Sequence, residues 1–331
     1  MPLKRQEQQE VLTKYFRMLE QRGFPVIYGA THLSQLLDID PSSLGGMINI
    51  PQNYYYRFCI PKRSGGSRNI SAPNAVISYV QHWILVNILN KIEIGKYATG
   101  FRKGYSIKLN ALAHVGNAEV VKMDLKDFFP SITINRVWAV FRNCGYTKRV
   151  SYYLAALCCF NGCLPQGACT SPVLSNIIAK RLDARLGGLS RCFSLQYTRY
   201  ADDLTFSGNQ IPLRFVEYVK EIVSSEGFTV NEIKTRRLGP ASQKIITGVS
   251  VSSGKIKLPR EYKRKVRQEV FYILKYGITD HQRRINEPFD PIKVERLIGK
   301  LTFWKSIEPE NSFVLQNIKK LKKYSIALDR V

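Results

Sequence analysis

The sequence predicts an α+β fold with an antiparallel sheet and a helical C-terminal region. Strand and helix patterns alternate along the chain, hairpins outnumber parallel crossovers, and from Lys255 onward the chain turns helical and basic. With 331 residues, 44% of them hydrophobic and 23% charged, the chain can bury a core and is no disordered tail. Lysine and arginine number 50 against 25 acidic residues, a net charge of +25. That excess favours nucleic acid or anionic membrane as the surface this protein meets. Membrane insertion is disfavoured, because no stretch approaches the roughly 20 apolar residues of a spanning helix. The opening Met1-Pro2-Leu3-Lys4-Arg5 leads into a charged amphipathic segment rather than an apolar signal core. The expectation is a cytoplasmic protein with no membrane partner.

The first 50 or so residues read as short amphipathic helices, with Leu33, Leu36 and Leu37 at helical spacing. Residues 54–60 look like a strand, 61–68 a basic glycine turn and 69–71 a returning strand, a hairpin with cations at its tip. A helix follows over 75–92, with Val76, Tyr79, Val80, Trp83, Ile84, Ile88 and Leu89 in one apolar stripe. Residues 119–125 form a strand in which Val121, Met123 and Leu125 share a face. Residues 152–160 read as a core helix where Cys158 and Cys159 behave as small hydrophobes. With Cys163 and Cys169 they cluster, but they form no Cys-x-x-Cys pair and the nearest histidines are distant, so buried thiols are expected rather than zinc. An odd total of 7 cysteines also disfavours a disulfide framework.

Ser171 followed by Pro172 predicts a helix start, a capping serine and a proline at the first helical position. Leu174, Ile177, Ile178, Leu182 and Leu186 carry that helix to a stop at Gly187-Gly188. Residues 195–200 and 204–207 read as two strands joined through Ala201-Asp202-Asp203. A helix over 213–225 stops at Gly227, and 244–251 returns to strand. The segment from Lys255 holds 19 lysines and arginines and 9 acids.

Chemistry is expected where carboxylates interrupt apolar strands. Asp124 sits at a strand end, and Asp202 and Asp203 sit at the bend of a hairpin. Desolvating unpaired carboxylates costs several kcal/mol, so three of them near apolar strands call for cations. If the two strands are neighbours, a pair of Mg²⁺ ions about 3.5–4 Å apart fits, since magnesium binds through one or two carboxylates plus substrate phosphates. Adjacent strand residues face opposite sides, which makes Asp124 and Asp202 the expected principal ligands and Asp203 peripheral. Spacing alone leaves solvated turn acids as the other reading.

These residues resemble a known family. Tyr200-Ala201-Asp202-Asp203, Asp124 in the preceding acidic strand, and Leu164-Pro165-Gln166-Gly167 before the Ser171-Pro172 helix occur in the order and spacing of reverse transcriptases. Within that superfamily the sequence is most similar to bacterial retron reverse transcriptases. Their Asn-Ala-x-x-His element matches Asn110-Ala111-Leu112-Ala113-His114, and their Val-Thr-Gly element matches Ile246-Thr247-Gly248 with isoleucine in place of valine. The compact length, with no maturase or endonuclease extension after the basic helices, fits the same group.

The resemblance implies a right-hand polymerase: N-terminal helices and fingers over 1–118, a palm over 119–254 and a basic, helical thumb over 255–331. It implies catalytic and metal-binding roles for Asp124, Asp202 and Asp203 with two Mg²⁺ ions. It implies nucleotide contacts from Lys62, Arg63 and Arg68 on a fingers hairpin, from Gln166, from Phe129 as an aromatic gate against a ribose 2′-hydroxyl, and from Lys234 near the leaving pyrophosphate. From sequence, Phe128 or Phe129 could equally be plain core. RNA contacts are expected from Asn110, His114, Thr247 and Gly248, and along the thumb from Lys263, Arg264, Lys265 and Arg267, where a solvated helix face is the other reading. The implied partners are dNTPs, a cognate structured noncoding RNA, its branched RNA-linked DNA product (msDNA), and a separately encoded effector or toxin in antiphage defence. A group II intron-like or defence-associated enzyme without such an RNA, and a noncatalytic RNA-binding scaffold, are the alternative readings.

Overall fold

The computed structural model describes residues 5–61, 65–278, 282–283, 288 and 290–328. Lys62 and Arg63 lie outside the described residues. Three helices open the chain: α1 (Arg5–Gln21), α2 (Ala30–Leu37) and α3 (Pro41–Asn49). The Asp40 carboxylate accepts from the Ser42 and Ser43 amides and Pro41 occupies the first turn, which fixes where α3 begins. β1 (Tyr55–Pro61) and β2 (Ser67–Pro73) form the expected antiparallel hairpin, in register from Tyr55 opposite Pro73 to Pro61 opposite Ser67.

Helix α4 (Ala75–Asn87) starts at Asn74, whose side chain accepts from the Ile77 amide. It is shorter than its apolar stripe suggests: Ile88 leaves helical geometry, a 3₁₀ turn follows over Leu89–Lys91, and Val76 and Tyr79 stay exposed. Then come α5 (Ile107–Leu112), β3 (Glu119–Asp124), α6 (Ile134–Cys144) and α7 (Lys148–Cys158). All seven cysteines are free thiols, and burial pushes the Cys158 thiol up to about 12, as expected of a core residue.

The expected single helix from Ser171 is instead two, α8 (Ser171–Ile178) and α9 (Lys180–Cys192). Thr170 rather than Ser171 is the N-cap, and its side chain makes no capping bond. The glycine pair does not end α9. A Cβ on Gly187 would stand 2.1 Å from the Tyr97 ring, so the missing side chain makes room for an aromatic neighbour while the helix runs on. β4 (Gln196–Tyr200), β5 (Asp203–Gly208) and α10 (Leu213–Ser225) follow. Short strands β6 (Arg236–Leu238), β7 (Ile245–Ile246) and β8 (Val249–Ser250) come next. The strand expected over 244–251 is therefore a tight hairpin, broken where Thr247 takes a left-handed φ of 46°. Helices α11 (Arg260–Tyr276), α12 (Lys293–Ile307) and α13 (Ser312–Leu328) complete the chain.

The chain divides into two compact units. The first comprises Met1–Tyr105, Lys122–Thr205 and Ile211–Arg236; the second comprises Ser106–Val121, Phe206–Gln210 and Arg237–Val331. In the first, Ile84, Phe141, Leu154 and Leu174 are among the fully buried side chains. In the second, Val266, Val270 and Ile273 of α11 join Leu297, Leu301 and Trp304 of α12 and Val314 and Leu321 of α13 in one apolar cluster. One sheet has the strand order β4-β5-β3-β6. Only Ala201 and Asp202 connect its neighbours β4 and β5, a link short enough only for an antiparallel pair. Helices and antiparallel hairpins together make this the α+β class that the sequence predicts.

Candidate active site

Both acidic segments meet at one end of that sheet, within the first unit. The Leu125 amide, one residue past the end of β3, donates to the Asp202 carbonyl at 2.9 Å, so the strand carrying Asp124 runs beside the turn carrying Asp202. Asp203 is the first residue of β5. On the other side of β3, the Lys126 amide donates to the Thr229 carbonyl at 2.8 Å and the Asn231 amide donates to the Asp124 carbonyl at 2.7 Å. Those bonds bring the 3₁₀ turn Glu232–Lys234 to the acids. The Lys234 ammonium donates to both carboxylate oxygens of Asp124 at 2.9 Å, and the Asn231 amide group reaches one of them at 3.4 Å.

Electrostatics follow from this crowding. Burial, and then the neighbouring charges of Asp124 and Asp203, push the Asp202 carboxyl up to about 6. Burial also raises Asp203, while its hydrogen bond to Asp124 raises Lys234. Among the described residues no three His, Cys, Asp or Glu side chains form a ready-made metal cage. Carboxylates crowded at one sheet end are nevertheless a donor set suited to a hard divalent ion, and magnesium completes its shell with water and phosphate oxygens rather than with protein alone. The residues present therefore fit the divalent ion on which the chemistry depends.

Other nucleotide-contact candidates lie in the same unit. Phe128 is buried and its ring centroid lies 5.6 Å from that of Phe228, so it is core, whereas Phe129 is half-buried and 6.1 Å from Phe101. Of the two aromatics that sequence leaves undecided, Phe129 is the one not buried in the core. Phe101, also 6.5 Å from Tyr200, is a neighbour that sequence reasoning missed, since nothing in its local pattern separates it from an ordinary surface aromatic. The Gln166 carbonyl accepts from the Ser71 amide on β2 at 2.9 Å. A Cβ on Gly167, at φ 135°, would stand 2.8 Å from the Ser71 carbonyl oxygen, so this loop lies on the hairpin only because glycine occupies that position. Arg68 is exposed on β2 opposite Ile60.

The second unit holds the remaining candidates. Asn110 and His114 are buried. The Asn110 amide donates to the Thr247 hydroxyl at 3.3 Å, and the His114 ring nitrogen Nδ1 lies 2.6 Å from the Ser207 hydroxyl, which also accepts from Asn117 at 2.8 Å. Polar side chains inside an apolar unit need partners, and these have found protein ones. Thr247 is half-buried and Gly248 exposed at the turn that the Asn110 bond helps to support. On α11, Lys263 is paired with Glu308 at 3.0 Å and Lys265 with Glu261 at 2.8 Å. The guanidinium of Arg267 lies over the Trp304 and Phe313 rings, and Arg264 is exposed.

Comparison with known proteins identifies the family. The family profile described as reverse transcriptase (RNA-dependent DNA polymerase) matches residues 60–257. The chain is 35% identical over 259 residues to the retron Ec86 reverse transcriptase of Escherichia coli, covering 77% of this chain and 81% of that one. It is 36% identical over 279 residues to the retron Mx65 reverse transcriptase of Myxococcus xanthus, covering 78% of this chain and 62% of that longer protein. Identity to the retron Ec73 enzyme of Escherichia coli is 31%, over 76% of this chain and 82% of that one. Among solved structures, a Candida albicans telomerase in complex with a fragment of telomeric RNA aligns with a TM-score of 0.46 at 11% identity, over 81% of this chain and 63% of that one. From paired acidic strands to the family profile, these findings make the chain an RNA-directed DNA polymerase, and it belongs to the bacterial retron-type reverse transcriptases.

Proposed function

We propose that this enzyme copies a cognate structured noncoding RNA into branched, RNA-linked single-stranded DNA, and that it does so in the cytoplasm with a separately encoded effector as part of antiphage defence. The observation that carries the catalytic part is the meeting of Asp124, Asp202 and Asp203 around Lys234 at one sheet end. Asp124 and Asp202 would hold two Mg²⁺ ions, with Asp203 at the periphery. Ions bound there would supply the charge neutralisation that phosphoryl transfer needs.

The chain's own side chains do the rest. Arg68, with Lys62 and Arg63, grips the dNTP triphosphate through charge-assisted hydrogen bonds. Gln166 contacts the incoming nucleotide, and Phe129 closes the space that a ribose 2′-hydroxyl needs. Lys234 leaves Asp124 for the departing pyrophosphate and donates a proton to it as general acid. Residues 1–118 act as fingers, 119–254 as palm and 255–331 as thumb. Thr247, Gly248, Arg264 and Arg267 face RNA, while Asn110 and His114 support that surface from within.

Two measurements test this. Asp202→Asn is expected to abolish dNTP incorporation on a primed RNA template while leaving RNA affinity within about twofold, because affinity rests on lysine and arginine contacts to phosphate and an acid supplies none of them; incorporation at the unaltered rate would refute the metal assignment. Nucleic acid extracted from cells expressing the native locus should contain a short RNA-linked DNA that disappears when the adjacent noncoding RNA is deleted. Its absence would remove the retron reading and leave the polymerase.

A further inference from the structure

Beneath the Tyr200-Ala201-Asp202-Asp203 turn lies a charge that the chemistry above does not use. Arg199, on β4, has a fully buried side chain, and its partner Asp183, on α9, is 1% exposed. The pair is bidentate: Nε donates to Asp183 Oδ1 at 2.8 Å and Nη2 to Oδ2 at 2.7 Å. The Tyr197 hydroxyl donates to the same carboxylate at 2.9 Å. The remaining guanidinium nitrogen, Nη1, donates to Asn176 Oδ1 of α8 and to the Ala201 carbonyl, each at 3.0 Å.

Ala201 adopts a left-handed φ of 58°, a conformation that a residue with a Cβ takes only when its surroundings impose it. The next carbonyl along, that of Asp202, accepts from the Leu125 amide. Two successive carbonyls are thus held, one by Arg199 and one by β3, and together they fix the peptide from which the Asp202 side chain projects. A buried ion pair is weak evidence for stability, since apolar residues of the same volume often serve as well. The bond to Ala201 is the part of the arrangement that the Asp183 pair does not itself require.

We propose that Arg199 is a positioning residue for polymerisation: fixed by Asp183 and Asn176, its guanidinium locks the Ala201 carbonyl in the left-handed turn and so aims the Asp202 carboxylate at the metal. This deepens the metal assignment of Asp202 and rests on it. Arginine suits the task because its planar fork engages a carboxylate through two donors and still has another free, which a lysine ammonium cannot reproduce in fixed geometry.

The test is the Mg²⁺ dependence of dNTP incorporation on a primed RNA template at saturating dNTP, measured with thermal melting for Arg199→Lys, for Ala201→Gly and for the double variant. Arg199→Lys keeps a cation beside Asp183, and the Mg²⁺ concentration at half-maximal rate should rise about tenfold, the usual loss when a group orienting a metal ligand is removed. Glycine enters the left-handed region without steric cost. Ala201→Gly should therefore recover most of that shift in the double variant, relative to its own single-variant value, without recovering melting temperature. A midpoint unmoved in folded Arg199→Lys, or moved but not recovered by glycine, overturns the inference and leaves Arg199 as a core ion-pair partner. Should Arg199→Lys fail to fold, Asn176→Ala carries the test, since it loosens Nη1 and leaves the Asp183 pair intact. A smaller shift in the same direction, again recovered by Ala201→Gly, is expected; no shift overturns the inference. Asp202→Asn assayed alongside separates the two claims: activity in that variant removes the metal reading itself, whereas its inactivity beside an unmoved Arg199→Lys midpoint removes only the positioning role.

Discussion

His114 is a buried imidazole whose Nδ1 meets the Ser207 hydroxyl. Because the Asn117 amide donates to that hydroxyl, the Ser207 proton is free to go to Nδ1, an arrangement that suits a neutral ring. Burial accordingly depresses the histidine to about 4. A depressed folded-state value means that the unfolded chain binds the proton first as pH falls from about 6.5. The stability His114 contributes is therefore complete above that pH and is lost progressively as pH falls toward 4. Between pH 7 and pH 5 the loss should be about 2 kcal/mol. His114→Gln lacks the titration, so its denaturant-unfolding free energy should fall less across the same interval, by about that amount. Parallel pH dependences in the two proteins would show that the ring is not held neutral.

Helix α9 shows what an element can hide from its own sequence. Gly187 and Gly188 resemble a helix stop, yet the helix continues to Cys192, and the reason is the Tyr97 ring where a Cβ of residue 187 would be. Helix propensity alone favours Gly187→Ala by up to about 1 kcal/mol. The overlap with Tyr97 should outweigh that gain, giving a net destabilisation of about 1–3 kcal/mol. In a double-mutant cycle, Tyr97→Ala should remove the penalty, so that Gly187→Ala becomes neutral or stabilising in that background. Additive effects would refute the packing account. The same limit separates what is legible in the sequence from what is not. Asp124, Asp202 and Asp203 stand out because carboxylates interrupt apolar strands, and the hairpin of β1 and β2 stands out because glycines and cations separate two strand-like runs. Arg199 paired with Asp183, or Lys234 on Asp124, cannot be read along the chain: each partner looks like an ordinary charge in its own element, and only the folded backbone brings them together.

For the whole molecule, the net charge of +25 is what remains after every acid is set against a base, so no internal pairing can neutralise it, and an RNA polyanion is its natural counterpart. Binding should release counterions, so the logarithm of affinity for single-stranded RNA should fall linearly with the logarithm of salt, by about 0.7 per phosphate contacted. The charges are not equivalent, however. The Lys263 side chain is 17% exposed and paired with Glu308, which also accepts from the Leu258 amide, whereas Arg264 is exposed on the same helix. Arg264→Ala should lower the salt slope by about 0.7–0.9 and leave melting unchanged, as expected of a phosphate contact. Lys263→Ala should instead leave the slope in place and cost about 1–3 kcal/mol of stability, because it strands a half-buried carboxylate. Binding isotherms at several salt concentrations, together with melting curves, distinguish the two. A slope that falls for Lys263→Ala and not for Arg264→Ala would mean that the helix meets RNA with the face now turned toward Glu308, and the division between charges that bind and charges that build would have to be reversed.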